Sequence, residues 1–588
     1  MLTVFVLGPI ALAVTLFVIP LEKPARAVTI AGQCFLLGYA CHVFRLCRDS
    51  EIITRIGNFE GSMGIALVSD TLTSVFLMLA AFIFLIASIY GYSDGHSRLY
   101  RFFMLIWQSL LSGVFLANDV FNVFVLMEVA TVVVAVLIMF KRDSRSMYDG
   151  MVYLMVNIVA MQFFLFGAGY IYKLAGTLDM TAAARALASI DKASLALPSA
   201  LIFTALCLKC ALMPLFSWLP KAHGTPGAPP AVSAVLSGLH IKSSIYLFIR
   251  FKDLFGALFV PEFFLLIGII TGIAGFLFAL SQTDIKLILA YSTISQAGMI
   301  MIGLNLADPH SYIGSVYHIL NHAVFKTALF MCAGIIAEVY GTRDLRSIRG
   351  VMRAHPLIGG AMLAAILGIT GAPLFNGSIS KYFIVYGAGG AVTMAVIFIN
   401  LGTIITFIKF STMLFGNAHI GRTGSQGDEL AALPNEDGLA ALSNEDGRAV
   451  LSNEDGRAAL SNGDMRAALS NEDGLTMKKE PAAGCVHPPK KAAVLALGAL
   501  CLFGGVFGQQ TIRFLFGVEA GIDTAGYLEK CLLFAASVAA GHVLFKYFVD
   551  KHPFFKRILT IDLSFRQICA SIGGFFAVAL VVTRLFGA

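Results

Sequence analysis

The chain has 588 residues, of which 58% are apolar and 13% charged, with a net charge of +7 and a mean hydropathy of +0.81. Soluble domains carry about 25% charged residues, so this composition excludes a water-soluble globule. Apolar runs of about 20 residues cross a bilayer as helices and are too long and uniform for barrel strands, which leaves an all-α, polytopic membrane protein.

Apolar runs between charged or Gly/Pro breaks predict sixteen spans, a helix count of 14–16 once broken runs are merged. The early ones are 2–20, 27–46, 65–91, 100–117, 119–140 and 151–172. The first of them, Met1–Ile19, lacks a charged leading region and a small-residue cleavage site, so it reads as a retained helix rather than a signal peptide. The middle spans are 196–217, 229–250, 261–281, 285–305 and 311–340. Then come 356–388, which reads as broken, and 390–415, 492–509, 525–547 and 567–586. With alternating spans, thirteen loop lysines and arginines fall on the side of Lys23, Arg98, Lys141 and Arg343, against eight on the side of Arg45, Lys173 and Arg250. The first side is therefore expected to be cytoplasmic, with the N-terminus outside. Arg250 and Lys286, near span ends, read as topological residues that snorkel to the headgroups.

One segment breaks this pattern. Residues 433–475 repeat a nine-residue unit five times, from Leu-Pro-Asn-Glu-Asp-Gly-Leu-Ala-Ala onward. Nine residues advance a helix by 900°, so no apolar stripe forms, and Asn-Glu-Asp-Gly favours turns. Eleven acidic residues against three arginines give 427–475 a charge of −8 and leave +15 for the rest. Each unit has a single glycine at most, unlike the paired glycines of calcium-binding β-rolls. The segment reads as a disordered cytoplasmic insertion. The ten cysteines lie mostly in apolar runs, where cysteine packs as a small hydrophobe, and Cys207-x-x-Cys210 has no second pair to make a metal site.

Ionisable groups inside apolar spans are costly and usually functional. Glu128, Lys209, Lys242 and Lys381 are such groups, and His318, His322 and Lys326 recur every four residues on one helical face. Any one of them reads as a structural tie almost as well. Together they exceed what stability explains, because desolvation tends to cancel the attraction between buried charges. A chain that passes protons needs groups of this kind: lysines that exist neutral or charged by turns, a carboxylate that biases the choice, and histidines that relay between them. The His318/His322 pair has no third ligand nearby for zinc.

Pro214 interrupts the span of Lys209, and Pro373 that of Lys381. Proline-broken spans at corresponding places in two halves mark an inverted-repeat transporter. Two five-helix repeats, 100–250 and 261–415, follow from this. They are flanked by N-terminal helices in 1–99, the loop 416–491, and C-terminal helices in 492–588.

At these residues the sequence resembles a known family. Leu208-Lys209-Cys-Ala-Leu-Met-Pro214-Leu-Phe-Ser-Trp218-Leu-Pro220-Lys-Ala-His223, continuing to Ala228-Pro-Pro230-Ala-Val-Ser233, is similar to the signature of the antiporter-like subunits. These occur in respiratory complex I, Mrp-type sodium/proton antiporters and membrane-bound hydrogenases. His240-Ile-Lys242, Tyr291-Ser-Thr-Ile-Ser295-Gln296-Ala-Gly298, His322-Ala-Val-Phe325-Lys326, Gly371-Ala-Pro373-Leu374 and Ser380-Lys381 match further stretches. The likeness covers roughly residues 60–415.

The resemblance implies roles by position. Glu128 and Lys209 would form a charge-switching pair, Lys242 would connect, and His318, His322 and Lys326 would relay to the terminal Lys381. Asp70 falls where relatives carry an aspartate, although a helix cap explains it equally well. Lysine rather than glutamate at 381 leans toward antiporter D-like and hydrogenase-type subunits. The loop His223–Ala228 is longer than usual, and the acidic repeats are not a family feature. The implied function is that of a proton-translocating component, similar to the D-type Mrp protein, of a multi-subunit monovalent cation/proton antiporter. The alternative is the corresponding proton-pumping subunit of a complex I-type NADH–quinone oxidoreductase or a membrane-bound hydrogenase. Either sits in a bacterial or archaeal cytoplasmic membrane among other membrane subunits and moves protons, with sodium or potassium left open. No cofactor, metal or nucleic acid is expected, and any oxidoreductase activity would belong to partner subunits.

Overall fold

The computed structural model describes residues 1–57, 64–417 and 486–587, less 520, 522, 550, 551, 553 and 555–562. The acidic repeats of 433–475 lie outside the described residues.

Fourteen described helices are long and apolar enough to cross a membrane, and two shorter apolar ones accompany them. The total agrees with the sixteen spans read from hydropathy. The chain begins with α1 (Val4–Val18) and α2 (Glu22–Cys47). A small antiparallel hairpin of β1 (Ile52–Arg55) and β2 (Ala66–Ser69) follows. Then come α3 (Thr71–Tyr90), α4 (Arg98–Leu116), α5 (Val120–Ile138) and α6 (Ser144–Ala175).

Their starts have a common chemistry. Side chains of Asp70, Asp119 and Asp143 accept N–H groups of the first turn, satisfying donors that have no partner inside the helix. Asp179, Asp284, Asp308 and Asp523 do the same further on.

A short α7 (Met180–Leu187) leads to α8 (Lys192–Lys209), which stops at a break before α9 (Trp218–Gly224). The predicted span 196–217 is therefore not one helix. α10 (Pro230–Phe255) is continuous through a π turn at Leu236–His240. Next are α11 (Pro261–Ser281), α12 (Ile285–Leu304) and α13 (Pro309–Tyr340). The predicted broken span resolves into α14 (Pro356–Thr370) and α15 (Asn376–Ile384), followed by α16 (Gly390–Ser411). After the insertion come α17 (Pro488–Val506), the amphipathic α18 (Gly508–Phe516), α19 (Thr524–Leu544) and α20 (Phe565–Phe586).

The two repeats meet their own loops in the same way. After the 32-residue α6, Gly176 in the left-handed region ends the helix; Thr177 accepts from the amide of Asp179, and Asp179 bridges back to Asp119. After the 32-residue α13, Gly341, Thr342 and Asp344 repeat each step, with Asp344 bridging to Asp284. The flanking backbone bonds also correspond: Val120 N–H to Leu178 and Met180 N–H to Asn118 in one, Ile285 N–H to Arg343 and Leu345 N–H to Thr283 in the other.

The breaks correspond as well. The Leu212 amide reaches back to Cys207 and that of Ala372 to Leu367, each across five residues. In the same register Ala211 and Gly371 both hold positive φ, 55° and 79°. α4–α10 and α11–α16 are thus two copies of one unit. Within the second, α11 and α12 pack backbone to backbone: a Cβ on Gly298 would lie 2.4 Å from the Gly272 amide. Small residues provide such close approach between membrane helices.

Candidate functional site

The seven ionisable groups singled out in the sequence stand on five helices: Glu128 on α5, Lys209 on α8, Lys242 on α10, His318, His322 and Lys326 on α13, and Lys381 on α15. Lys242, His318 and Lys326 have no exposure at all, and Lys209 only 2%. Hydropathy predicts spans at these places, yet each lysine is turned inward.

Glu128 lies within electrostatic reach of Lys209 and Tyr153. The two charged groups do not close on each other directly. The Lys209 amine donates to Thr131 Oγ1 at 2.6 Å, one turn along α5 from the carboxylate, while Glu128 Oε2 meets no hydrogen-bond partner. Lys209 also reaches His240 electrostatically. The His240 ring is held at its two nitrogens by Trp107 Nε1 at 3.4 Å and the Tyr153 hydroxyl at 3.3 Å.

Two residues on, Lys242 turns back onto the carbonyl of Ser237 within the π turn. The Ser237 hydroxyl shares a hydrogen bond of 2.8 Å with Thr293 on α12. Beside Thr293, Ser292 Oγ accepts from the Lys326 amine at 2.5 Å, and Leu289 O accepts from the same amine at 2.8 Å. Lys242 and Lys326 are in electrostatic contact, and both reach His322.

His322 has no hydrogen-bond partner on either ring nitrogen and sits 6.3 Å, ring to ring, from His318. His318 is fully engaged, with Nδ1 2.8 Å from Ser380 Oγ and Nε2 3.1 Å from Gln296 Oε1. Ser380 adjoins Lys381, whose amine donates to Asn400 Oδ1 at 2.7 Å and to Ile369 O at 2.5 Å. That carbonyl lies at the end of α14, where the break removes its helical partner, so the lysine satisfies a group that would otherwise be bare at membrane depth.

Six of the groups therefore lie along one buried polar row, with the half-buried Glu128 beside its Lys209 end. Of the residues that stitch it together, Ser292, Thr293, Gln296 and Ser380 lie in the stretches that carry the family resemblance, whereas Thr131, Tyr153, Ser237 and Asn400 carry no mark in the sequence. Serine and threonine in an apolar helix commonly bond their own backbone, as Thr131 does to Met127 O at 2.8 Å, so nothing in composition distinguishes them.

Two expectations need correction. Lys286 does not snorkel: it is 5% exposed and donates inward to Ala228 O at 3.0 Å. Arg250 is not a free surface cation either. It pairs with both oxygens of Asp70 at 2.7 Å and with Tyr246 and Thr73, while Asp70 also caps α3 through the Thr73 amide. Asp70 is both a cap and an ion-pair partner.

Beyond the row, His223 is buried without a partner on either nitrogen, stacks on Phe330 at 4.6 Å, and reaches Lys286, Lys326 and Lys242 electrostatically. Among the described residues no group of three or more His, Cys, Asp or Glu is placed to hold a metal ion. Cys207 and Cys210 are free and buried.

Residues 117–407 match the family described as NADH:quinone oxidoreductase/Mrp antiporter, TM. The D subunit of the Na(+)/H(+) antiporter of Alkalihalophilus pseudofirmus is 29% identical over 344 residues, 57% of this chain and 69% of that one. A component of the Mrp complex from Dietzia sp. shares the fold with a TM-score of 0.72 at 22% identity, over 95% of this chain and 99% of its own. A component of the membrane-bound sulfane sulfur reductase, an archaeal respiratory membrane complex, does so with a TM-score of 0.70 at 21% identity, over 92% of this chain and 99% of its own.

Proposed function

From the likeness of residues 117–407 to this family we propose that the chain is an antiporter-like membrane subunit and translocates protons as the D-like component of a multi-subunit monovalent cation/proton antiporter. The observation that carries the reading is the buried row itself. Six basic groups and one carboxylate lie in apolar surroundings, and hydroxyl or amide side chains stand at hydrogen-bond distance from Lys209, Lys326, His318 and Lys381. Stability alone does not call for such a row, whereas proton transfer needs titratable groups linked by short donor–acceptor steps.

On this reading Glu128 biases the charge of Lys209. The proton passes by way of Lys242 and Lys326 to the two histidines, and Lys381 is the far terminus. Repeats 100–250 and 261–415 each provide half of the path, with 1–99 and 492–588 as flanking helices. The basic loop face is cytoplasmic and the N-terminus outside, in a bacterial or archaeal cytoplasmic membrane. A fusion reporter at each end checks the orientation.

The test uses the assembled complex in membrane vesicles. Lys209→Ala and Glu128→Ala should each leave assembly intact and lower proton translocation by about tenfold or more, the equivalent of about 1.4 kcal/mol or more at the rate-limiting step. Full transport by both variants would remove the proposed path. A second reading, a proton-pumping subunit of a complex I-type oxidoreductase or a hydrogenase, is favoured by the fold shared with the archaeal respiratory complex. Co-purifying iron–sulfur chromophores would support it, and small antiporter subunits would support the first.

A further inference from the structure

Lys381 ends the buried row, and a route from it to the surface has to lie beyond that point. A cavity of about 80 Å³ opens beside it, lined by Lys381, Ser378, Tyr382 and Asn400 on one side and by Lys530 and Ser537 of α19 on the other. Since a single water occupies about 10–15 Å³ by this measure, the cavity holds several.

α19 lies outside the matched family stretch of 117–407. Lys530, Phe534, Ser537 and Gly541 follow one another at four, three and four residues, which puts them on one face of the helix. The remaining faces carry Leu528, Leu532 and Val543, at 62%, 65% and 54% exposure. At the inner end of the stripe, Gly541 lets the helix close on α16, since a Cβ there would come 3.2 Å from Ile408. Near the other end, the Tyr527 hydroxyl bonds Ser378 at 3.1 Å. A lysine and a serine on the protein-facing stripe of this helix, whose Glu529 and His542 lie off that stripe and are exposed, are not explained by anchoring. They face polar side chains and a water-sized space.

We propose that α19 completes the outlet of the relay: the cavity is the hydrated passage through which Lys381 exchanges its proton with the surface, and Lys530 guards its rim against metal cations. The inference rests on the proton-relay reading above. In each turnover the Lys381 ammonium gives its proton to a cavity water, a proton leaves the water chain at the rim, and the neutral amine takes the next proton from the side of Ser380 and His318. The Lys530 ammonium repels an alkali cation, and it passes the proton on by giving one of its own to bulk water and taking one from the cavity chain.

The test is made on the assembled complex in vesicles, with Ser537→Cys and with the lipid-facing Val538→Cys as control. The probes are a cationic and an anionic methanethiosulfonate, and the parent chain corrects for native thiols. The cysteine at 537 should react from the aqueous phase, that at 538 should not, and modification at 537 should lower proton flux about tenfold. The anionic reagent should react at least about five times faster than the cationic one, with the preference reversed in Lys530→Glu. An unreactive 537, or a labelled complex with full flux, overturns the outlet. Loss of charge preference or failure of the reversal overturns the role of Lys530. Full flux in Lys381→Ala would instead overturn the relay reading beneath it.

Discussion

His318 and His322 are four residues apart on one helix and differ in how they are held. His318 has a partner on each nitrogen, Ser380 and Gln296, whereas His322 has none and rests against Phe325 at 5.3 Å between rings. A ring fixed at both ends keeps one orientation and delivers protons along one line; a ring with free nitrogens can turn between the neighbours it reaches, Lys242, Lys326 and Lys381. Ser380→Ala removes the hydroxyl between His318 and the segment of Lys381. Leaving a buried ring nitrogen unsatisfied costs about 1–3 kcal/mol, so proton flux in vesicles should fall about tenfold with complex assembly unchanged. Ser380→Thr, which keeps the hydroxyl, should retain most of the flux. Equal loss in both variants would show that packing, not the hydrogen bond, matters at this position. The charged members of the row were legible from sequence because a lysine or glutamate in an apolar run is conspicuous. Of its hydroxyl and amide members, Ser292, Thr293, Gln296 and Ser380 fell within quoted motifs without a role, and Thr131, Tyr153, Ser237 and Asn400 were not legible, because their value lies in which helix they face.

At the scale of elements, the breaks were legible through Pro214 and Pro373, but the geometry that ends the helices was not. The conformational key is the residue two or three positions before each proline, Ala211 and Gly371, both at positive φ. Glycine takes this conformation freely, whereas a non-glycine residue there stores about 1–3 kcal/mol. Gly371 is also crowded: an added Cβ would stand 3.1 Å from Lys381 Cδ and 3.6 Å from its amine. Gly371→Ala should therefore lower thermal stability in detergent by about 1–3 kcal/mol and reduce proton flux, since the methyl displaces the lysine from Ile369 O and Asn400. Ala211→Gly, at the equivalent place in the first repeat, should be tolerated with flux within about twofold, because it only relaxes the backbone. A Gly371→Ala variant with full flux and unchanged melting would show that this turn does not position Lys381. The Gly-Thr-x-Asp joints after α6 and α13 are present as a sequence repeat, but four residues of ordinary loop composition acquire meaning only when both copies are seen to make the same bridge.

The molecule as a whole joins a repeated core to additions at its end. The doubled unit could be argued from two proline breaks five spans apart. What the additions do could not, because α19 and α20 carry ordinary apolar composition and only their contacts distinguish them: α19 packs on α16 of the second repeat, and α20 on α8 and α6 of the first. The acidic repeats are a different kind of addition. They concentrate −6 of charge in a segment between α16 and α17, while every member of the buried row lies before residue 401. Orientation in the membrane is governed by lysine and arginine near span ends, and acidic residues contribute little to it. Excising 433–475 removes nine carboxylates and three arginines. It should leave membrane insertion, assembly and proton flux within about twofold of the full chain, because neither the relay nor the basic loop face loses a member. The measurement is dye-quench flux in vesicles normalised to assembled complex. A collapse of flux at normal assembly would assign the repeats a part in transport, and a collapse of assembly would make them a partner-binding element.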